Sequence, residues 1–580
     1  MGCKFVEQLV RLRKLSAESV DNTNTFDEFK EYIHVERPVE RELRSLLRKL
    51  NKTPQKRLVL LCGSAGDGKS HLLSYLKNVD SEKLLEDYEL YNDATESSAP
   101  NLTSIDTLAD KLQDYDDEHY LIDDGKKMIL AINLGTLSNF IESEKGKRFS
   151  VLKQYVDGND VFDGFADVEP YEPTPVFRHI NFSDYQMFTL RENGVGTDYL
   201  EALLEKVFNK EDGNPFCEAY KSNENCTLCQ RCPVRHNYEF MLEKKNQKAI
   251  IDKVVEIIIK DKTIVSTREV LNFLYDILVH PEFSYNSFCG KITSDIKYLP
   301  EYIQYTTPML LYEYEGISMV IDNIKNHDLL KERKASMDLE ATRFHSLDNI
   351  EEAFLEATAN TPYEILKTIT DISVLGGIKP ELKKLVYRFI VRLKEIKGEY
   401  SQIQDKNRFS EYIRYLYYQN SSNENKLRKV YEATKKAIMN WNGHFESDYI
   451  CIDETNEQYW ILEQLYLKSA IKKAQPLDDE EIMRFSTLLR LKYKKDSGTD
   501  EDCADASIDY SLYEMICDMS DGYRPTVQDK NRHADFVSFI QRVMEYGNKV
   551  SRITLVPKDI NLDYKIVFEE TEFDFEFKVV

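Results

Sequence analysis

Apolar and polar positions change rhythm along this 580-residue chain. Up to about residue 55 apolar residues recur at spacings near three and four, in Phe26-Asp27-Glu28-Phe29-Lys30-Glu31-Tyr32-Ile33 and in Val39-Glu40-Arg41-Glu42-Leu43-Arg44-Ser45-Leu46-Leu47. That spacing predicts amphipathic helices, with Pro38 opening the second. The unbroken apolar run Leu58-Val59-Leu60-Leu61-Cys62 then has the length of a buried strand, and His71 to Leu76 continues as a helix. Further strands are predicted at Tyr88 to Asp93, Met128 to Asn133 and Val176 to Phe182, with a helix around Ile105 to Gln113. Strands alternating with helices predict an α/β fold whose parallel sheet is covered on both faces.

From about residue 240 long helical patterns dominate, at Ile250 to Lys260, Val270 to Val279, Glu381 to Leu393 and Lys426 to Trp441. The second half therefore reads as mostly α-helical. Gln419 to Asn425 and Ser497 to Asp502 read as loops or linkers. Near the end, Tyr564 to Phe568 and Phe573 to Val579 alternate with period two and predict a hairpin. These changes divide the chain into an N-terminal helical segment (1–55), an α/β domain (56–290), a helical domain (291–440) and a C-terminal α+β domain (441–580).

Composition adds limits. Hydrophobic residues at 42% and charged residues at 31% are ordinary for a globular protein, and the length suggests about three to four domains. No stretch of eighteen apolar residues is present, and Met1-Gly2-Cys3-Lys4-Phe5 leads into a charged segment, so a cytoplasmic protein without a membrane span is expected. A formal charge of −24 argues against gripping DNA over the whole surface. Local basic patches such as Arg490-Leu491-Lys492-Tyr493-Lys494-Lys495 remain, read here as a solvated helix face. The tyrosines Tyr412, Tyr415, Tyr417 and Tyr418 read as core rather than as a base-stacking platform.

The chemistry concentrates after the first strand. Gly63-Ser64-Ala65-Gly66-Asp67-Gly68-Lys69-Ser70 completes the G-x-x-x-x-G-K-[ST] pattern of a phosphate loop. Its glycines let backbone N–H groups close on the β and γ phosphates of ATP, Lys69 would neutralise them, and Ser70 would offer its hydroxyl oxygen to Mg²⁺. The helix starting near Gly68 and continuing through His71 would point its positive end at the anion. Hydrolysis also needs a carboxylate for the metal and a group to orient water. The strand ending Ala131-Ile132-Asn133-Leu134-Gly135 offers no acid, so Asn133 is the water-orienting candidate and the acid falls to Asp93, with Asp123 or Asp124 second. The latter pair follows closely on the acidic run Asp114 to Glu118, whose charge also reads as a solvated loop. Ser266-Thr267-Arg268-Glu269 opens an amphipathic helix with Ser266 or Thr267 as N-cap. Arg268 would reach a γ-phosphate in its own or a neighbouring subunit, or simply pair with a surface acid.

Of ten cysteines, four cluster as Cys217-x8-Cys226-x2-Cys229-x2-Cys232, followed by Pro233 and His236. Closely spaced thiolates suit tetrahedral Zn²⁺, and a structural zinc knuckle near 214–240 is the preferred reading. Iron–sulfur ligation, unliganded thiols and a set using His236 in place of Cys217 stand beside it.

Taken together, Leu60 to Gly63 with Gly66-Asp67-Gly68-Lys69-Ser70-His71-Leu72, then Asn92-Asp93-Ala94-Thr95-Glu96-Ser97, then Ala131 to Gly135, resemble DptF. DptF is the ATPase-like member of the bacterial phosphorothioation-dependent DNA restriction system, which also contains DptG and DptH. The Cys226 to Pro233 run and Ser266 to Phe273 look like that family too, so the resemblance spans about 60 to 280. It implies an AAA-like P-loop ATPase subunit that works with DptG- and DptH-like partners against DNA lacking a sulfur-modified backbone, as a homo-oligomer or within the larger complex. Leu134 departs from the acid expected at its position and puts efficient hydrolysis in question. Two alternatives follow: a nucleotide-gated scaffold that binds ATP without turning it over, and a helicase loader, to which Gly68 to Leu72 is also similar.

Overall fold

The computed structural model describes residues 3–21, 27–92, 103–122, 124–162, 171, 174–223, 226, 228–282, 299–331, 334–377, 379–400, 406–443, 448–453, 455–471, 481–495, 503–546, 552–559, 561, 565–570 and 575–579. Asp93, Asp123 and the 497–502 linker lie outside these residues. The chain divides into two compact units, Met1–Thr189 with Thr197–Gln404, and Leu190–Gly196 with Asp405–Val580.

The first unit opens with helices α1 (Lys4–Asp21), α2 (Glu28–Ile33) and α3 (Pro38–Leu50). Pro38 occupies the first turn of α3, where its missing N–H costs nothing. Next come β1 (Arg57–Cys62), α4 (Lys69–Asn78), β2 (Tyr88–Asn92), α5 (Ser104–Lys111), β3 (Lys127–Ile132), α6 (Leu134–Glu142), α7 (Ser150–Gly158) and β4 (Phe177–Asn181). The strands form one sheet in the order β2-β3-β1-β4, and all pairings are parallel.

The apolar run of β1 is unbroken because both its faces are covered. Leu58, Leu60 and Cys62 face a core with Leu108 of α5, Leu137 and Phe140 of α6, and Leu152 and Tyr155 of α7. Val59 and Leu61 face the other core, built from Val39, Leu43 and Leu47 of α3 and Leu72, Leu73 and Leu76 of α4. The result is the expected three-layer α/β arrangement.

Beyond the sheet the unit is helical: α8 (Asp198–Phe208), α9 (Pro215–Ser222), α10 (Pro233–Met241), α11 (Lys244–Lys260) and α12 (Thr267–Asp276), then further helices that include Pro380–Ile396. Asn214 caps α9, its side chain accepting from the Phe216 and Cys217 amides.

In the second unit, helices 406–420 and 428–440 precede strands. A five-stranded antiparallel sheet runs in the order Phe575–Val579, Ile566–Glu570, Arg552–Pro557, Tyr459–Gln464, Tyr449–Asp453. The predicted terminal hairpin forms its first two strands. A three-stranded sheet contains Leu489–Lys495, so the basic segment 490–495 is a strand and not a helix face. Its period-two pattern explains the difference: Leu489, Leu491 and Tyr493 are buried while Arg490 and Lys492 are exposed. Tyr412, Tyr415 and Tyr418 are core residues, and the Tyr412 hydroxyl donates to the Thr487 and Ile508 carbonyls at 2.8 and 3.0 Å. No helix among the described residues is long and apolar enough to cross a membrane.

Candidate functional site

Chain direction locates the site before any side chain is considered. The connection leaving β1 runs toward β2, whereas that leaving β3 runs toward β4. The two connections run in opposite directions over opposite faces of the sheet, leaving a crevice between them at the carboxyl ends of β1 and β3, where ligands of parallel sheets bind. Gly63 and Asn133 flank that crevice, because Cys62 pairs with Ile132.

The loop 63–68 between β1 and α4 depends on its glycines. Gly63, Gly66 and Gly68 have φ of 154°, 87° and 93°, conformations in which a side chain is strained. Beneath the loop, the buried Asp67 carboxylate accepts the Ser64 amide at 2.5 Å, and a Cβ on Gly63 would lie 2.8 Å from the same oxygen. Burial raises the Asp67 pKa against the pull of Lys69 and Arg37. The Lys69 ammonium donates to the carbonyls of Gly63 and Ser64 at 2.9 and 2.7 Å. Ala65 completes the loop, and Gly68 opens onto free space.

Four helix amino termini gather here. Arg37, preceding α3, donates to the Asp67 carbonyl at 2.7 Å and lies over the rings of Phe182 and Tyr199, 5.5 and 5.4 Å from their centroids. Tyr199, in the first turn of α8, shares a hydrogen bond with Thr267 at 3.0 Å. Ser266 caps α12 in a capping box with Glu269. A Cβ on Gly66 would meet Ser266 Oγ at 3.0 Å and Arg268 Cβ at 3.3 Å, so Arg268 packs on the loop of its own chain. With Lys69 opening α4, the positive ends of α3, α4, α8 and α12 surround one glycine loop. That field favours an anion.

Ser70 donates its hydroxyl to Asn92 Oδ1 at 3.0 Å, joining the start of α4 to the end of β2. Asp93 is the next residue and lies outside the described ones. Asn133 caps α6, its side-chain oxygen accepting from the Gly135 amide at 2.9 Å. Asp124 precedes β3 and pairs with Lys56 at 3.4 Å. A six-residue strand, about 20 Å long, therefore separates it from the loop, and it cannot serve there. His71 Nε2 is 3.1 Å from His34 Nδ1, and His34 stacks on Tyr75 while pairing with Glu40 at 3.2 Å. Burial, then the neighbouring His34, lowers the His71 pKa to about 4, leaving it neutral at pH 7.

Arg37, Tyr199 and Asn92 were not legible as site residues. Arg37 and Tyr199 are distant in sequence from the glycines and belong to no short motif, and Asn92, although it opens the 92–97 segment, carries no local sign that it pairs with Ser70; only the adjacency of Arg37 to the helix-opening Pro38 hints at the first.

The cysteines occupy a separate region. Cys217 is buried in α9, Cys226 is half-buried, and Cys232 is buried as the N-cap of α10. Cys229 opens a short 3₁₀ turn, and its side chain is outside the description. His236 is buried with Nδ1 on the Tyr302 hydroxyl, and burial lowers its pKa to about 4. Among the described residues, no three His, Cys, Asp or Glu side chains converge as a ligand set.

No protein-family model matches the chain, and no curated protein or solved structure matches it either.

Proposed function

We propose that the chain is a P-loop ATPase of AAA-like architecture whose nucleotide lies on the 63–68 loop. The observation that carries this reading is the glycine loop at the crevice between β1 and β3, with Lys69 opening α4. On binding, the loop amides and the amide of His71 would hold the phosphates, and Lys69 would move from the Gly63 and Ser64 carbonyls to the β and γ oxygens. Ser70 and Asn92, at the end of β2, would hold Mg²⁺, with Asp93 as the next residue in sequence the candidate acid. When bound, the ion neutralises charge developing on the transferred phosphoryl group. Asn133 would orient the attacking water, and Arg268 would reach the γ-phosphate from within the same chain.

At the level of the cell, we propose a cytoplasmic restriction component acting with DptG- and DptH-like partners on DNA. ATP would order contacts between subunits, including copies of this chain. A second reading has a specific support: Asn92, not an acid, faces Ser70, which suits a scaffold that holds ATP with little turnover.

The test is Mg·ATP binding and steady-state hydrolysis by the full chain and by Lys69→Ala, with and without duplex DNA. Binding and turnover lost together in Lys69→Ala support the ATPase. Binding without turnover supports the scaffold. Absence of binding by the unaltered chain overturns both.

A further inference from the structure

The strand Leu489–Lys495 carries Arg490, Lys492, Lys494 and Lys495 with no acid among its residues, in a chain whose acids outnumber its bases by 101 to 77. Period two sorts these charges. Leu489, Leu491 and Tyr493 are buried together with Ala504, Ala506 and Ile508 of the neighbouring strand, so Arg490, Lys492 and Lys494 share the opposite face of the sheet. Arg490 and Lys492 are exposed there and Lys494 is half-buried. Side chains two apart on one face of a strand stand about 6.7 Å from each other. Three cations in a row are thus commensurate with a DNA strand, which carries a phosphate for about every 3.4 Å of helix axis.

The pairing partners of the strand do little to neutralise this row. Arg490 lies opposite Ser507 and Lys494 opposite Cys503; Lys492 alone of the three faces an acid across that ladder, Asp505, whose carboxylate is 3.7 Å from its ammonium. On the other edge Lys494 stands directly opposite Lys468, which is exposed in the strand Leu467–Ser469. Like charges directly opposite one another destabilise a sheet, and an anion lying across both relieves that repulsion. The backbone beneath the cations is held from the helices behind it. Gln419 Oε1 accepts the Arg490 amide at 2.6 Å, the Tyr431 hydroxyl accepts the Lys492 amide at 3.2 Å, and the Tyr493 hydroxyl donates to the Tyr431 carbonyl at 2.8 Å.

We infer that this sheet face binds the phosphate backbone of duplex DNA, with Arg490, Lys492, Lys494 and Lys468 as its contacts. Lysine and arginine on phosphates position a protein on DNA and carry no sequence information, so the face grips without reading bases. The net charge of −24 repels DNA at long range, and salt screens that repulsion, which leaves the row to act at close contact. That the polyanion is DNA rests on the restriction role proposed above; that the face takes a phosphate backbone rests on the sheet alone.

The experiment is fluorescence anisotropy of a labelled random-sequence DNA duplex with the full chain, from about 50 to 200 mM salt. All measurements are made without nucleotide, so a chain that fails to bind ATP still decides the matter. With four phosphate contacts, log affinity should fall against log salt with a slope of about −3.6. Arg490→Ala, Lys494→Ala and Lys468→Ala should each make that slope shallower by about 1, and Arg490→Glu combined with Lys494→Glu should abolish binding in this range. Asp505→Asn should bind more tightly than the unaltered chain, a gain that a misfolded variant cannot produce. Circular dichroism separates lost binding from lost fold in the others. An unaltered chain that does not bind the duplex overturns the inference, as do alanine variants that bind it unchanged. Polyglutamate bound more tightly than the duplex would make the face a dock for an acidic protein and overturns it too.

Discussion

The Ser70 hydroxyl donates to Asn92 Oδ1 across 3.0 Å, so the first turn of α4 and the end of β2 meet at one hydrogen bond. β3 lies between β2 and β1 in the sheet, and the contact reaches past it. On the proposed reading, a neutral amide and not an acid stands beside the serine that would hold Mg²⁺.

A prediction follows for the metal dependence of binding. Asn92→Ala should weaken Mg·ATP by about tenfold, the loss of roughly 1.4 kcal/mol of ordered polar contact, and leave metal-free ATP unaffected. Asn92→Asp should strengthen the Mg²⁺ dependence. Titration with and without Mg²⁺ decides; equal weakening in both conditions would mean that Asn92 merely supports the fold.

Two glycines of the same loop should respond differently to alanine. Both Gly66 and Gly68 have left-handed φ, which costs a non-glycine residue about 1–2 kcal/mol. At Gly68 the added methyl meets open space, but at Gly66 it meets Ser266 Oγ at 3.0 Å and Arg268 Cβ at 3.3 Å. Gly66→Ala should therefore be the less stable by at least ~1 kcal/mol more, as crowding adds to strain. Urea midpoints of the two variants provide the comparison, and equal midpoints would mean that α12 yields freely.

Much of this was legible in the sequence for a simple reason. β1 and β3 announce themselves because buried parallel strands need apolar residues on both faces, and the glycine loop because its backbone tolerates little else. What stayed hidden depends on topology. Nothing local marks Arg37 as a brace for the Asp67 carbonyl, or Asn92 as the partner of Ser70. Strand Leu489–Lys495 was misjudged because four basic residues mask the alternation of Leu489, Leu491 and Tyr493.

His71 predicts a pH response with a definite sign. Burial and His34 depress its folded pKa to about 4, below the unfolded value near 6.5. The unfolded chain therefore binds the proton first, so stability carried by neutral His71 is present above pH 6.5 and lost as pH falls toward 4, by up to about 3 kcal/mol. Asp276 opposes this: burial, against Arg13, raises its pKa to about 6, and its contribution is lost as pH rises through that value. The net stability curve should hence be shallow between pH 4 and 6. His71→Asn isolates one component, and its stability relative to the unaltered chain should improve steadily from pH 7 to 4.5. A constant difference across that range would rule out a neutral, buried His71.

The helical part of the first unit hides a charge whose removal should be costly. Lys253 of α11 donates to Glu395 Oε1 at 2.7 Å, and the Tyr312 hydroxyl donates to Glu395 Oε2 at 3.1 Å. Burial opposes the Lys253 charge, yet Tyr312 and Glu395 together hold its pKa well above the ordinary range, so the ammonium persists. Glu395→Ala strands that cation and should destabilise by about 3–5 kcal/mol. Replacing the pair as Lys253→Met with Glu395→Leu removes the stranded charge but leaves the Tyr312 hydroxyl without its acceptor, at about 1–3 kcal/mol. Adding Tyr312→Phe should recover most of the loss, because an apolar trio of similar volume avoids the desolvation that the charges incur. Urea denaturation of the three variants should therefore rank the single substitution as least stable and the triple as closest to the unaltered chain. If the single substitution unfolds at the same urea concentration as the unaltered chain, water reaches Lys253 and the ion pair is not a structural necessity.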